Sequence, residues 1–103
     1  MAKILKRLDD ALKFKEEGNK LFKNGSPQDA KDMYTKALMY CPFNENDLKN
    51  NKDYAIILAN RSAALENLSC FEGVTEDIDL ALKYGYPREL YFKVCCLNKQ
   101  FNA

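Results

Sequence analysis

The apolar and small residues between Leu8 and Phe22, namely Leu8, Ala11, Leu12, Phe14, Gly18, Leu21 and Phe22, fall mostly three or four apart, which predicts an amphipathic helix. Asn24-Gly25 ends it. Ser26-Pro27-Gln28-Asp29 starts another, with an N-cap hydroxyl, Pro at the first helical position and an acid in the first turn. Ala30, Met33, Tyr34, Ala37, Leu38 and Cys41 form its stripe, which stops at Pro42. So short a break makes the two helices antiparallel neighbours. The Asn-rich, charged stretch 43–52 has no sustained period and reads as a loop, with Asn51 or Asp53 available to cap the next helix. Tyr54, Ile57, Leu58, Ala64, Leu65 and Leu68 predict that third helix. Ser69-Cys70-Phe71-Glu72 has the spacing of a capping box opening a fourth, with Phe71, Val74, Ile78, Ala81 and Leu82, ended by Gly85. Leu90, Tyr91, Val94 and Leu97 predict a fifth helix over about 87–100. No stretch alternates with period two, so the fold class is all-α.

Composition narrows the function. The chain has 103 residues, 47% of them hydrophobic, enough for one modest domain. Its 16 Lys and Arg nearly balance 15 Asp and Glu, unlike the basic body of a nucleic-acid binder. It has no His, which removes the commonest general base, nucleophile partner and zinc ligand and points away from an ordinary enzyme. Cys41, Cys70, Cys95 and Cys96 make no Cys-x-x-Cys pair and no secreted disulfide framework, so they read as reduced thiols of the cytosol or nucleus. The charged start has no apolar signal core, and no stretch approaches the roughly 20 apolar residues of a membrane span. No metal or cofactor, nucleic acid or membrane is expected as a partner.

The helix pairs repeat. Gly18, Leu21, Ala30, Tyr34, Ala37 and Pro42 are matched by Ser62, Leu65, Val74, Ile78, Ala81 and Tyr86-Pro87, with identical intervals as far as Ala81. Small residues let two helices cross closely, and the large residue, Tyr34 or Ile78, is expected to fill the gap between one pair and the next. The offset is 44 residues, against 34 for a tetratricopeptide unit, and the Asn-rich loop supplies the excess.

This pattern resembles the tetratricopeptide repeat over roughly Leu8 to Tyr91. Lys15-Glu16-Glu17-Gly18-Asn19-Lys20-Leu21-Phe22 and Ala59-Asn60-Arg61-Ser62-Ala63-Ala64 look like its carboxylate-clamp subclass, which grips the acidic C-terminal tails of the chaperones Hsp90 and Hsp70. Asp77-Ile78-Asp79-Leu80-Ala81-Leu82-Lys83-Tyr84-Gly85-Tyr86-Pro87, followed by Leu90 and Lys93, is similar to the N-terminal repeat region of lysine methyltransferases of the SET and MYND domain-containing protein 4 type. The resemblance implies helix pairs stacked as a short right-handed superhelix. Repeat 1 would span about 8–42, repeat 2 about 53–86, with the fifth helix after them.

A clamp of that kind would place Lys15 and Asn19, four residues apart on one helical face, against a terminal carboxylate, with Asn60 approaching from the next pair. Lys93 fills a further basic place, but Leu97 stands where the pattern wants Arg, and the alternative register of Leu90 and Val94 is worse. Phe22 can line the groove, whereas Phe14, Tyr34, Phe71 and Tyr91 are expected in packing. The plain reading makes Lys15 and Lys20 a solvated helix face. Asn60, a poor helix former in a helix interior, still needs a hydrogen-bonding partner.

The methyltransferase resemblance implies a cofactor-binding SET domain and a zinc-binding MYND module, neither of which these residues supply. Two pairs and one extra helix are fewer than the three units an array normally needs, so the chain reads as a truncated array. Three functions are compatible with it: a peptide-binding module for an acidic C-terminus, the N-terminal arm of a lysine methyltransferase, or a structural docking array using exposed apolar surface.

Overall fold

The computed structural model describes residues 2–87, with side chains from Arg7 onward. Four α-helices occur in order: α1 (Ala2–Lys23), α2 (Pro27–Tyr40), α3 (Lys52–Asn67) and α4 (Phe71–Lys83), with a short 3-10 turn at Leu48–Asn50. There is no strand among the described residues. The predicted fifth helix lies outside them. α1 begins at Ala2, six residues before the expected Leu8.

The chain folds as two helix pairs. α1 packs on α2 and α3 on α4, while α2 joins the pairs by lying against α3 and α1 reaches α3 as well. Burial follows the small residues: Ala11, Ala30, Ala37, Ala55, Ala64 and Ala81 are fully buried and allow close helix approach. α3 differs from the one-faced helices because it has neighbours on several sides, burying Ala55, Ile57, Leu58, Ala59, Ser62 and Ala64. Phe71 departs from its expected packing role and stands 48% exposed at the start of α4.

Three helix ends share one device. After α1, Gly25 (φ 84°) donates its N–H to the Phe22 carbonyl and Ser26 donates to Leu21. After α4, Gly85 (φ 107°) donates to Leu82 and Tyr86 donates to Ala81. After α3 the same two bonds run from Ser69 to Glu66 and from Cys70 to Leu65, with Ser69 at φ 61°. These are Schellman closures, which require a left-handed residue after the helix.

That geometry overturns the expected capping box. Ser69 closes α3, so Cys70 is the residue before α4, and no side chain caps that helix. Two motifs competed for Ser69, and the closure of the preceding helix won. Ser26 occupies the predicted N-cap position of α2, with Pro27 next to it, but its hydroxyl makes no capping bond.

The Asn-rich loop is organised by Asn51, which is buried. Asn51 stands at the head of α3 yet makes no side-chain cap there. Its Oδ1 accepts from the Asn44 N–H at 2.7 Å, and its Nδ2 donates to the carbonyls of Asn44, Asp47 and Leu48 at 3.0–3.2 Å. Its own N–H donates to the Tyr84 carbonyl at 3.1 Å, tying the loop to the end of α4. Phe43, Tyr54 and Tyr84 close the junction, with ring centroids 4.8–5.7 Å apart. Gly85 is required there, since a Cβ would lie 2.3 Å from the Lys49 carbonyl oxygen.

Candidate functional site

Gly18 is the origin of the site's geometry. A Cβ on Gly18 would meet the Tyr34 ring at 2.6 Å, so the bare backbone of α1 is what lets α2 bring this tyrosine in. Tyr34 therefore fills a crossing inside its own pair. It also belongs to the buried cluster that includes Ile57 and Ala64 of α3.

The ring carries a hydroxyl into the interior, and a buried phenol needs a partner. Tyr34 donates to Asn19 Oδ1 at 2.5 Å. Burial pushes the phenol pKa up to about 12, so it stays a protonated donor at neutral pH. Asn60 Nδ2 donates to the same Asn19 oxygen at 3.4 Å. The structure thus brings Asn19 and Asn60 together across α1 and α3 and supplies the partner Asn60 required.

Lys15 lies one turn before Asn19 on α1, half-buried, and makes no ion pair among the described residues. Its charge reaches Cys41. Burial of the Cys41 thiol, with Asp53 adding to it, raises that pKa to about 11, and Lys15 opposes the rise. Cys41 is accordingly an inert thiol at neutral pH. Phe22 is half-buried and packs against the first core cluster. Lys93, Leu97 and the alternative Leu90 and Val94 lie outside the described residues.

An ion pair went unpredicted. Arg61 Nε and Nη2 donate to the two carboxylate oxygens of Asp77, both at 2.8 Å, and Arg61 Nη1 reaches Thr35 Oγ1 of α2 at 3.4 Å. Asp77 is 3% exposed. Its hydrogen bonds are the main reason that the Arg61 pKa is raised. One guanidinium in α3 therefore links α4 and α2 and braces the two pairs. A sequence signal for it existed: Asp77 falls on the apolar stripe of Val74, Ile78 and Ala81, where an acid needs a cation. The Tyr34 hydroxyl had a weaker one, since a core aromatic at this position could equally be Phe.

The described residues contain no cluster of three or more His, Cys, Asp and Glu suited to a metal ion. None of their helices is long and apolar enough to cross a membrane. The chemistry on offer is hydrogen-bond donation and positive charge: the Lys15 ammonium and the Asn19 amide nitrogen, whose oxygen is already engaged.

No family model matches the chain. It is 37% identical over 89 residues to "Protein-lysine N-methyltransferase SMYD4" of Pongo abelii and 36% identical over 86 residues to that of Homo sapiens. These alignments cover 86% and 84% of this chain and 10% of each relative. A third similarity, 34% over 86 residues, is to "Mitochondrial import receptor subunit TOM70" of Rattus norvegicus, covering 82% of this chain and 13% of that protein. The chain thus spans about a tenth of the length of these relatives. Together with the paired helices and their small-residue crossings, they show a tetratricopeptide-repeat-like helical region resembling a segment of SMYD4.

Proposed function

We propose that this region is a peptide-binding module that holds a free C-terminal carboxylate, of an acidic tail such as those of Hsp90 and Hsp70, between α1 and α3. The observation carrying this reading is the meeting of Asn19 and Asn60 from two helices, with the Lys15 ammonium one turn away. A carboxylate accepts hydrogen bonds at both oxygens and suits an ammonium beside an amide N–H. Lys93 would supply a second cation from the fifth helix. Leu97 leaves out one charge-assisted contact, so the tail is held more weakly than by a complete clamp, by about 1.5–3 kcal/mol. Such tails would be met in the cytosol or nucleus.

Titration calorimetry with an acidic peptide as the free acid and as the C-terminal amide tests this. The free acid should bind more tightly, and Lys15→Ala should weaken it while leaving the melting temperature nearly unchanged, because the lysine has no ion pair among the described residues to lose. Equal affinity for acid and amide would defeat the reading.

The similarity to SMYD4 supports a second reading, in which the region is the N-terminal recognition arm of a protein-lysine methyltransferase whose chemistry resides in other sequence. Transcripts encoding a Cys-rich zinc module and a cofactor domain beyond Ala103 would decide for it. Transcripts with a stop codon there would decide against it.

A further inference from the structure

A side-chain amide is two-ended: its oxygen accepts and its nitrogen donates. Which end Asn19 shows to a ligand therefore decides what that ligand must be. In this structure the oxygen is occupied twice, by the Tyr34 hydroxyl at 2.5 Å and by Asn60 Nδ2 at 3.4 Å. Turning the amide over would face the Tyr34 O–H with an NH2 and, unless Asn60 turned too, set the Asn19 NH2 against the Asn60 NH2. The Tyr34 hydroxyl, buried and with no other acceptor among the described residues for its proton, requires the oxygen end. The Tyr34 bond thus selects the end, and the longer Asn60 bond adds to it. Tyr34 is itself fixed, being 2% exposed and seated on the bare backbone of Gly18.

We propose that Tyr34 is a positioning residue that locks Asn19 with its NH2 toward the ligand, so that α1 offers only donors and the site prefers a carboxylate to a carboxamide. This inference rests on the peptide-terminus reading above. Lys15 and Asn19 then present an ammonium and an amide N–H from one helical face. A carboxylate meets both with lone pairs, whereas a carboxamide turns its own N–H groups toward one of them. The device belongs to the first pair alone. At the matching places of the second pair, Tyr34 is replaced by Ile78, Asn19 by Ala63 and Lys15 by Ala59.

The test compares the full chain with Tyr34→Phe, which keeps the ring on Gly18 and removes only the hydroxyl. Each is titrated with one acidic peptide as free acid and as C-terminal amide. The acid-to-amide affinity ratio should fall about 3- to 10-fold in Tyr34→Phe, the range of one hydrogen bond that positions a charge contact. A purely structural tyrosine would weaken both peptides alike, and an unchanged ratio overturns the proposal. A wild-type ratio near one would instead refute the terminus reading, and the role of Tyr34 is then read without peptide. Relaxation of the 15N-labelled Asn19 side-chain amide should show it rigid on the ps–ns timescale in the wild type and mobile in Tyr34→Phe. Equal mobility in both overturns the positioning role. If Tyr34→Phe does not fold, the wild-type measurement still decides, since a mobile Asn19 amide contradicts the lock.

Discussion

The two helix pairs use the same spacing of small and large residues but distribute their polar groups differently. In α1–α2 the crossing residue is Gly18, and the space it leaves takes a tyrosine whose hydroxyl reaches Asn19. In α3–α4 the crossing residue is Ser62, fully buried, whose Oγ donates back to the Ala59 carbonyl at 2.5 Å, and the matching large residue is Ile78. The second pair gains its polar bond elsewhere, through Arg61 and Asp77. Neither has a charged counterpart of the right kind in the first pair, where Glu17 and Met33 stand at the equivalent places. One pair therefore joins its buried tyrosine to an amide on α1, and the other closes one ion pair internally that braces the stack. A repeat fixes where helices cross. It leaves open what the polar positions do.

The contrast breaks most severely at the brace. Arg61→Ala strands the buried Asp77 carboxylate, and unfolding in urea should show a loss of about 3–5 kcal/mol. A loss under about 1 kcal/mol would mean that the pairs do not depend on this ion pair.

The crossing comes next. Gly18→Ser imports the second pair's small residue into a space occupied by the Tyr34 ring, and should cost about 1–3 kcal/mol. Combining it with Tyr34→Ile transplants the second pair's whole solution and should recover part of that loss. A double-mutant cycle with no coupling would show that the two crossings are not alternative solutions to one problem.

Alkali tests the tyrosine of the first pair against a background from the second, where burial raises the Tyr54 phenol in the same direction. The pKa of Tyr34 is raised to about 12 in the folded protein, so its folded form binds the proton more tightly than the unfolded chain does. Its contribution is fully present below pH 10 and is lost as the pH rises to about 12. Cys41, raised to about 11 from 9, acts in the same direction over a lower window. Melting curves across about pH 8–12 should show falling stability, with a shallower fall in Tyr34→Phe. An identical slope in that variant would deny Tyr34 its part.

The smallest effect concerns the turn between α3 and α4. Ser69 adopts φ 61° where the ends of α1 and α4 have glycine. Ser69→Gly should stabilise by about 0.5–1 kcal/mol, relief of a left-handed strain of about 1 kcal/mol less some backbone entropy. A destabilised variant would mean that the serine side chain matters more than its backbone.

Much of this was legible in the sequence because it depends on local periodicity. The spacing of Ala30, Tyr34, Ala37 and Cys41 orients α2 whatever surrounds it, and Pro27, Gly25 and Gly85 mark boundaries through their own backbone restrictions. The matching intervals after Gly18 and Ser62 likewise announce two pairs. Lys15 and Asn19 share a face by helical geometry alone. Ser69-x-x-Glu72 misleads because one short string fits two local motifs, and Asn51, one of two residues able to cap α3, stands at that position but gives its amide to the loop.

The sequence by itself thus determined the helices, their pairing and the close crossing at Gly18, all consequences of chain stereochemistry and the burial of apolar stripes. Only the tertiary structure decided the partners of polar groups far apart in the chain: Asn60 on Asn19, Tyr34 on the same oxygen, and Arg61 between Asp77 and Thr35. Hydrogen bonds depend on distances of a few tenths of an ångström and on direction, and the helix crossing sets both. Periodicity says which face a residue occupies. It does not say which atom on the neighbouring helix it will meet.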